Sequence, residues 1–173
     1  MVRDAESSPL SVVAMLTDFG LEDGYVGEME AALARVCPAA RVVHITHLVP
    51  PGDVRTGAYI LGRTIPHFPQ GTVFLAVVDP GVGTGRQPVI VGNRGCCFVG
   101  PDNGLFARAI DWRSGVEVRV IDWGDADSKF RAATFQGRDL FAPVAGRLAR
   151  GDDFTTIGVP GVLKATFTPP GPE

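Results

Sequence analysis

Thr72–Val78, TVFLAVV, is the most apolar run in the chain, and it passes directly into Asp79–Pro88, DPGVGTGRQP. A short β-branched and aromatic run bounded by turn residues reads as a fully buried strand, and the Gly/Pro-rich stretch after it, which has no periodicity, reads as a loop. Upstream, Ser11–Leu16 (SVVAML) and Arg41–Thr46 (RVVHIT) have the same strand character, the first bounded by the turn-like TDFG. Between them, Asp23 stands at an N-cap position, and Val26, Met29, Leu33 and Val36 recur at helical spacing up to Pro38. A second helix is expected from an Asp53 cap to just before Pro66. Downstream, Val89–Val91 and Cys96–Val99 flank Gly92-Asn93-Arg94-Gly95 as a hairpin. Asn103–Ile110 then reads as a short helix and Val116–Ile121 as a strand. Phe141, Val144, Ala145 and Leu148 mark a last helix closed by Gly151. Strands alternating with helices around a buried strand predict an α/β fold with a largely parallel central sheet flanked by helices.

The 173 residues fit one domain with a core of its own. Residues 1–10 are expected to be a flexible N-terminus, 11–160 the α/β domain, and 161–173 a tail or linker. Sixteen Lys and Arg against nineteen Asp and Glu give a net charge of −3, which argues against nucleic acid as a partner. No apolar run reaches the roughly 18 residues of a membrane span, and residues 1–10 lack the apolar core of a secretory signal. Cys37, Cys96 and Cys97 fit no zinc spacing and read as reduced thiols of a cytoplasmic protein.

Ligands of open α/β sheets bind beyond the carboxyl ends of the strands. Three polar clusters fall there: Thr17–Gly20, Thr46-His47, and Asp79 through Arg86. GVGTGR (81–86) is not a phosphate loop, because Pro88 and a strand follow it rather than a helix N-terminus. His44 and His47 lack a third ligand at metal spacing, so no metal is assigned. Asp18, Asp23, Asp79, Asp102 and Asp139 all lie in Gly/Pro-rich loops, where one Asp alone is usually a cap or an Asx-turn. Asp79 and Arg86, across one tight loop, have the spacing of a charged pair that either lines a pocket or braces the loop.

Six motifs come in order: L-T-D-F-G…D-x-Y-V-G (16–27), I-T-H (45–47), G-A-Y-I-L (57–61), P-x-G-T-V-F-L-A-V-V-D-P-G-V-G-T-x-R (69–86), F-V-G-P-D-N-G-L (98–105) and F-x-G-R-D-L-F-A-P (135–143). Over about residues 11–160 the chain resembles the S-adenosyl-L-methionine (SAM) hydroxide adenosyltransferases, or SAM hydrolases, relatives of the fluorinase and chlorinase. The resemblance implies attack of water or hydroxide at the 5′ carbon of SAM, giving adenosine and methionine, with SAM as substrate and no cofactor. It implies that Asp18 binds the ribose hydroxyls, that Asp23 meets the methionine amine, and that Phe19, Tyr25, His47, Asp102 and Asn103 also belong to the substrate site. Asp79 and Arg86 match two members of a water-orienting triad, and their retention favours hydrolysis over halogenation. The third member is a His in the family, and here it is Gln136. An amide orients a water but takes no proton at neutral pH, and loss of a general base lowers turnover about 10²–10⁴-fold. His44 stands where the family often has Asp.

The resemblance further implies a smaller β-rich C-terminal domain after the α/β domain, with the SAM site built between subunits of a trimer. That β-rich domain is absent from these 173 residues. The implied partners are therefore a homotrimer, or a partner chain supplying the β-rich half. The alternative to an enzyme is a non-catalytic nucleoside-binding or assembly domain.

Overall fold

The computed structural model describes residues 11–126 and 131–165. Expectations for residues 1–10 and for the end of the tail, 166–173, lie outside them. Seven strands form one sheet among the described residues: β1 (Val12–Thr17), β2 (Arg41–Thr46), β3 (Val73–Val77), β4 (Pro88–Asn93), β5 (Cys96–Pro101), β6 (Glu117–Val120) and β7 (Val159–Pro160). Their order is β2-β1-β3-β5-β4-β6-β7. The first four run parallel, while β4, β6 and β7 each pair antiparallel with a neighbour. The expected α/β architecture is therefore present, with a parallel core extended by an antiparallel flank.

Helices α1 (Tyr25–Val36) and α3 (Ala142–Arg150) cover one face, and α2 (Val54–Thr64) covers the other. Strand alternation divides the core accordingly. Val13, Met15, Leu75 and Val77 meet α1 and α3, while Ala14, Leu16, Phe74 and Ala76 point to the α2 side. Phe74 and Phe98 stack there at 5.1 Å between centroids, both essentially buried. Each such side chain contributes about 1.5–3 kcal/mol by leaving water. Gly146 lets α3 close on α1, since a Cβ there would stand 2.9 Å from Val36 Cβ.

Most expected elements lie within a residue or two of their predicted bounds. Asp53 caps α2 by accepting the Thr56 amide at 3.0 Å, and Gly151, with φ 98°, closes α3. The hairpin turns on Arg94 and Gly95, both at positive φ as a two-residue type I′ turn requires. Two expectations are corrected. Asp23 is not the N-cap of α1. Gly24 is, and the Asp23 carboxylate accepts the Tyr25 amide at 2.8 Å. Residues 103–110 do not form a helix but a series of turns. Gly104, at φ 96°, leaves helical space, and the Asn103 amide donates to Val78 O (2.8 Å) while its carbonyl accepts the Leu105 amide. β7 was not anticipated.

Candidate active site

The parallel strands end together, and the loops that follow β1, β2 and β3 are joined to one another. The Gly20 amide donates to His47 O at 2.8 Å, linking the β1 and β2 loops. Asp18 Oδ2 accepts the Gly52 amide at 2.7 Å, reaching the entry to α2. Gly52 lies against Pro80 of the β3 loop, where a Cβ would be 3.5 Å from the Pro80 ring.

Asp79, at the end of the most buried strand, pairs with Arg86 across the GVGTGR turn. Arg86 Nε donates to Asp79 Oδ1 (3.1 Å) and Oδ2 (2.9 Å), and its Nη2 also donates to Oδ2. The two side chains are only 5% and 9% exposed. Nη2 also donates to Gln136 Oε1 at 2.5 Å, across fifty residues of sequence. The loop stays tight because Thr84 Oγ1 donates to Gly81 O and Gly83 takes φ 79°. The Asp79–Arg86 spacing thus makes a charged pair, and Gln136 closes it into a triad. A guanidinium only donates, so the Gln136 amide is oriented with its oxygen toward Arg86 and its two N–H groups turned elsewhere.

Gln136 is set by an unusual helix start. Residues 137–141 form a single π-turn leading into α3, with the Ala142 amide bonded to Gly137 O. Such turns frequently mark functional sites. Gly137 is packed so closely that a Cβ would stand 3.0 Å from Tyr25 Oη and 3.3 Å from Phe19 Cζ. Asp139, 1% exposed, anchors the segment before the turn by accepting the Ala132 amide and both Nε and Nη2 of Arg138. Burial pushes its carboxyl up, but the Arg138 and Ala132 hydrogen bonds outweigh that and hold it below the usual carboxylate range. Arg138 also reaches Glu28 on α1 at 2.8 Å.

Aromatic side chains border the triad. Phe19 and Tyr25 lie 4.5 Å apart, and Tyr25 and Phe135 5.5 Å apart, by ring centroids. Burial pushes the Tyr25 hydroxyl up to about 12, so it remains a donor at neutral pH. Leu21, Leu48 and Phe135 are exposed around the same edge.

The expected site residues divide into two groups. Asp18, Phe19, Asp23, Tyr25, Asp79, Arg86 and Gln136 come together at this edge. His47 is buried, with one ring nitrogen on Thr17 and the other on His44. Asp102 is also buried, and its carboxylate accepts the Lys164 and Ala165 amides. Asn103 braces the turn that it starts. Sequence reasoning missed the Gly52 amide and the Arg138–Asp139 anchor. The only signal for the anchor was an Asp beside an Arg in a Gly-containing loop. Among the described residues, no group of three His, Cys, Asp or Glu is arranged to hold a metal, and no helix is long and apolar enough to cross a membrane. A cavity of about 390 Å³ at the opposite end of the sheet, lined by Phe68, Gln70, Arg94 and Arg108 among others, includes none of the triad residues.

The doubly covered α/β sheet carries a carboxylate–guanidinium–amide triad beyond its parallel strands, the edge at which ligands of open α/β sheets bind. The chain belongs to the SAM hydroxide adenosyltransferase N-terminal domain family, whose model matches residues 13–158. It is 46% identical over 164 residues to a Salinispora tropica protein named (R)-S-adenosyl-L-methionine hydrolase, covering 92% of this chain and 61% of that one. A crystal structure of an uncharacterized conserved protein from Thermotoga maritima matches with a TM-score of 0.85 at 38% identity, covering 90% of this chain and 61% of the other. A fluorinase from an Actinoplanes species is more distant, at 24% identity over 170 residues, 85% of this chain and 57% of the enzyme. The chain thus spans about three-fifths of the length of the curated hydrolase it matches.

Proposed function

We propose that this domain carries the nucleophile side of a SAM hydrolase site, where water or hydroxide attacks the 5′ carbon of SAM. The C5′–S bond breaks and its electron pair leaves with methionine; hydroxide gives adenosine directly, while attacking water gives it after releasing one proton to solvent. The sulfonium is already a good leaving group, so the site's task is to hold the nucleophile in line with the C–S bond. The observation that carries this reading is the Asp79–Arg86–Gln136 triad at the strand-end edge, a buried ion pair bonded to a half-buried amide. Arg86 and Gln136 offer N–H donors to the water oxygen, and Asp79 fixes the guanidinium. Asp18 Oδ2 holds Gly52 while Oδ1 accepts no hydrogen bond among the described residues, which suits a ribose hydroxyl. Asp23, exposed with one oxygen on the Tyr25 amide, suits the methionine amine. Phe19 and Tyr25 wall the site, while His47, Asp102 and Asn103 support it from below through their own hydrogen bonds.

The exposed Leu21, Leu48 and Phe135 edge suits cover by a second subunit of a homotrimer or by a separate β-rich chain. We place the reaction in the cytoplasm, where the three free thiols stay reduced.

Incubating the purified chain with SAM, alone and with a separately supplied β-rich half, and assaying adenosine tests the proposal. Adenosine above the spontaneous background in either mixture supports it, and background-level adenosine in both refutes it. A second reading, nucleoside binding without turnover, is favoured by one observation: the Gln136 amide has no proton-accepting atom free of Arg86. Calorimetric SAM binding with no adenosine would establish that reading. Added chloride or fluoride giving a halogenated nucleoside would instead identify a halogenase.

A further inference from the structure

Beside the triad, four polar side chains form one unbroken hydrogen-bond chain. Glu30 Oε1 on α1 lies 3.1 Å from His44 Nε2 on β2. His44 Nδ1 faces His47 Nε2 at 2.7 Å, and His47 Nδ1 faces Thr17 Oγ1 at 2.8 Å. Thr17 Oγ1 accepts the Phe19 amide at 3.3 Å. Residues three apart on a regular strand point to opposite faces. Here the β1–β2 register slips: Met15 pairs with His44 but Leu16 with Thr46. Ile45 is the extra residue, and a bulge of this kind re-aims the side chains around it.

Donor and acceptor chemistry gives the chain a direction. An ionised Glu30 only accepts, so His44 Nε2 carries hydrogen, and in a neutral ring Nδ1 then accepts. His47 Nε2 therefore donates to His44, His47 Nδ1 accepts, and the Thr17 hydroxyl donates to it. Every proton points toward α1. Burial, reinforced by a charge on His44, pushes His47 down to about 4, so His47 is the ring of the pair that stays neutral. A protonated His44 carries hydrogen on both nitrogens, and Nδ1–H donates to His47 Nε2. His47 keeps one hydrogen, moved from Nε2 to Nδ1, where it donates to Thr17. The Thr17 hydroxyl, fully buried, loses its acceptor. The groups facing His44 are Glu30 from α1 and His47 from the loop after β2, with uncharged Met15 opposite on β1.

We propose that Glu30, His44, His47 and Thr17 form a polarised brace that holds the Thr17–Asp18–Phe19 turn while both rings are neutral, and that one proton on His44 reverses the chain and loosens the turn. His44 is thus a positioning residue that acts through His47 and Thr17. Any effect on SAM rests on the proposed function, but the brace itself does not.

The test is NMR of the full chain labelled with nitrogen-15. Near pH 8 both rings should be Nε2–H tautomers. As His44 charges, His47 should switch to Nδ1–H with the same midpoint. The protection of the Phe19 amide against hydrogen exchange should fall about 5- to 100-fold through that midpoint. Glu30→Gln should lower the midpoint by about 0.2–0.7 pH units, as expected for an exposed ion pair. A His47 ring that is Nδ1–H at pH 8, or that stays Nε2–H when His44 charges, overturns the proposal. So does a Phe19 amide that is insensitive to the midpoint. In the SAM assay, KM should rise through the midpoint more than kcat falls, and Thr17→Val should remove that inflection. An absence of turnover both without and with a β-rich partner half, the tautomer switch being intact, refutes the hydrolase reading and leaves the brace standing.

Discussion

Replacing Arg86 by methionine removes the cation of the triad while keeping a long side chain against Phe141, whose ring lies 5.4 Å from the guanidinium carbon. The Asp79 carboxylate, 5% exposed, then loses every hydrogen bond described for it. Leaving one charge of a buried pair unpaired costs about 3–5 kcal/mol, against 0–1 kcal/mol for a solvated surface pair. For a domain of this size that difference lowers Tm by about 6–20 °C. Asp79→Asn in the same chain removes the stranded charge, so the double variant should recover most of the loss. The coupling between the two positions should be at least about 2 kcal/mol. Urea denaturation of the four proteins of this cycle measures it. An Arg86→Met variant within about 1 kcal/mol of the parent, or a double variant no better than the single, would refute a buried, pre-set triad.

Gln136→His should raise adenosine formation by about 10²-fold or more, because an imidazole at that position accepts a proton that the amide cannot. A flat rate would refute a proton-accepting role for that position. Asp139→Asn should destabilise the domain at neutral pH. Its carboxyl is held below the usual range, so its contribution is present above the unfolded value of about 4 and is lost as pH falls through the folded one. The stability difference between parent and variant should therefore shrink on acidification below about pH 4. A difference that does not change with pH would refute the role given to Asp139.

Strand and helix periods carried the fold because each face of the sheet is buried against helices. TVFLAVV is legible because a strand covered on both faces has no polar alternation to confuse it. Residues 103–110 misled because Leu105, Phe106 and Ile110 are buried at helix-like intervals. The Asn103 side chain and the positive φ of Gly104 make turns of them instead. Asp79 and Arg86 were legible as a pair because seven residues separate them across a Gly-rich loop. Gln136 was reached only through the family resemblance, since nothing local connects positions 86 and 136. The link between His44 and His47 was invisible for another reason. It depends on a register slip against β1, which is a property of two strands and not of either sequence.

The π-turn at 137–141 has a consequence for how this site can change. It holds one more residue than the same stretch of α-helix. Five residues of a π-turn wind through about the same angle as four of an α-helix, so deleting one residue there would restore ordinary winding and keep the flanks nearly in register, while re-aiming the Arg138 and Asp139 side chains that anchor Gln136. A substitution scan would pass over this dependence, since no single side chain in the turn carries it. A scan of one-residue deletions would find it, because the Arg138–Asp139 anchor depends on the length of the turn as well as on its residues.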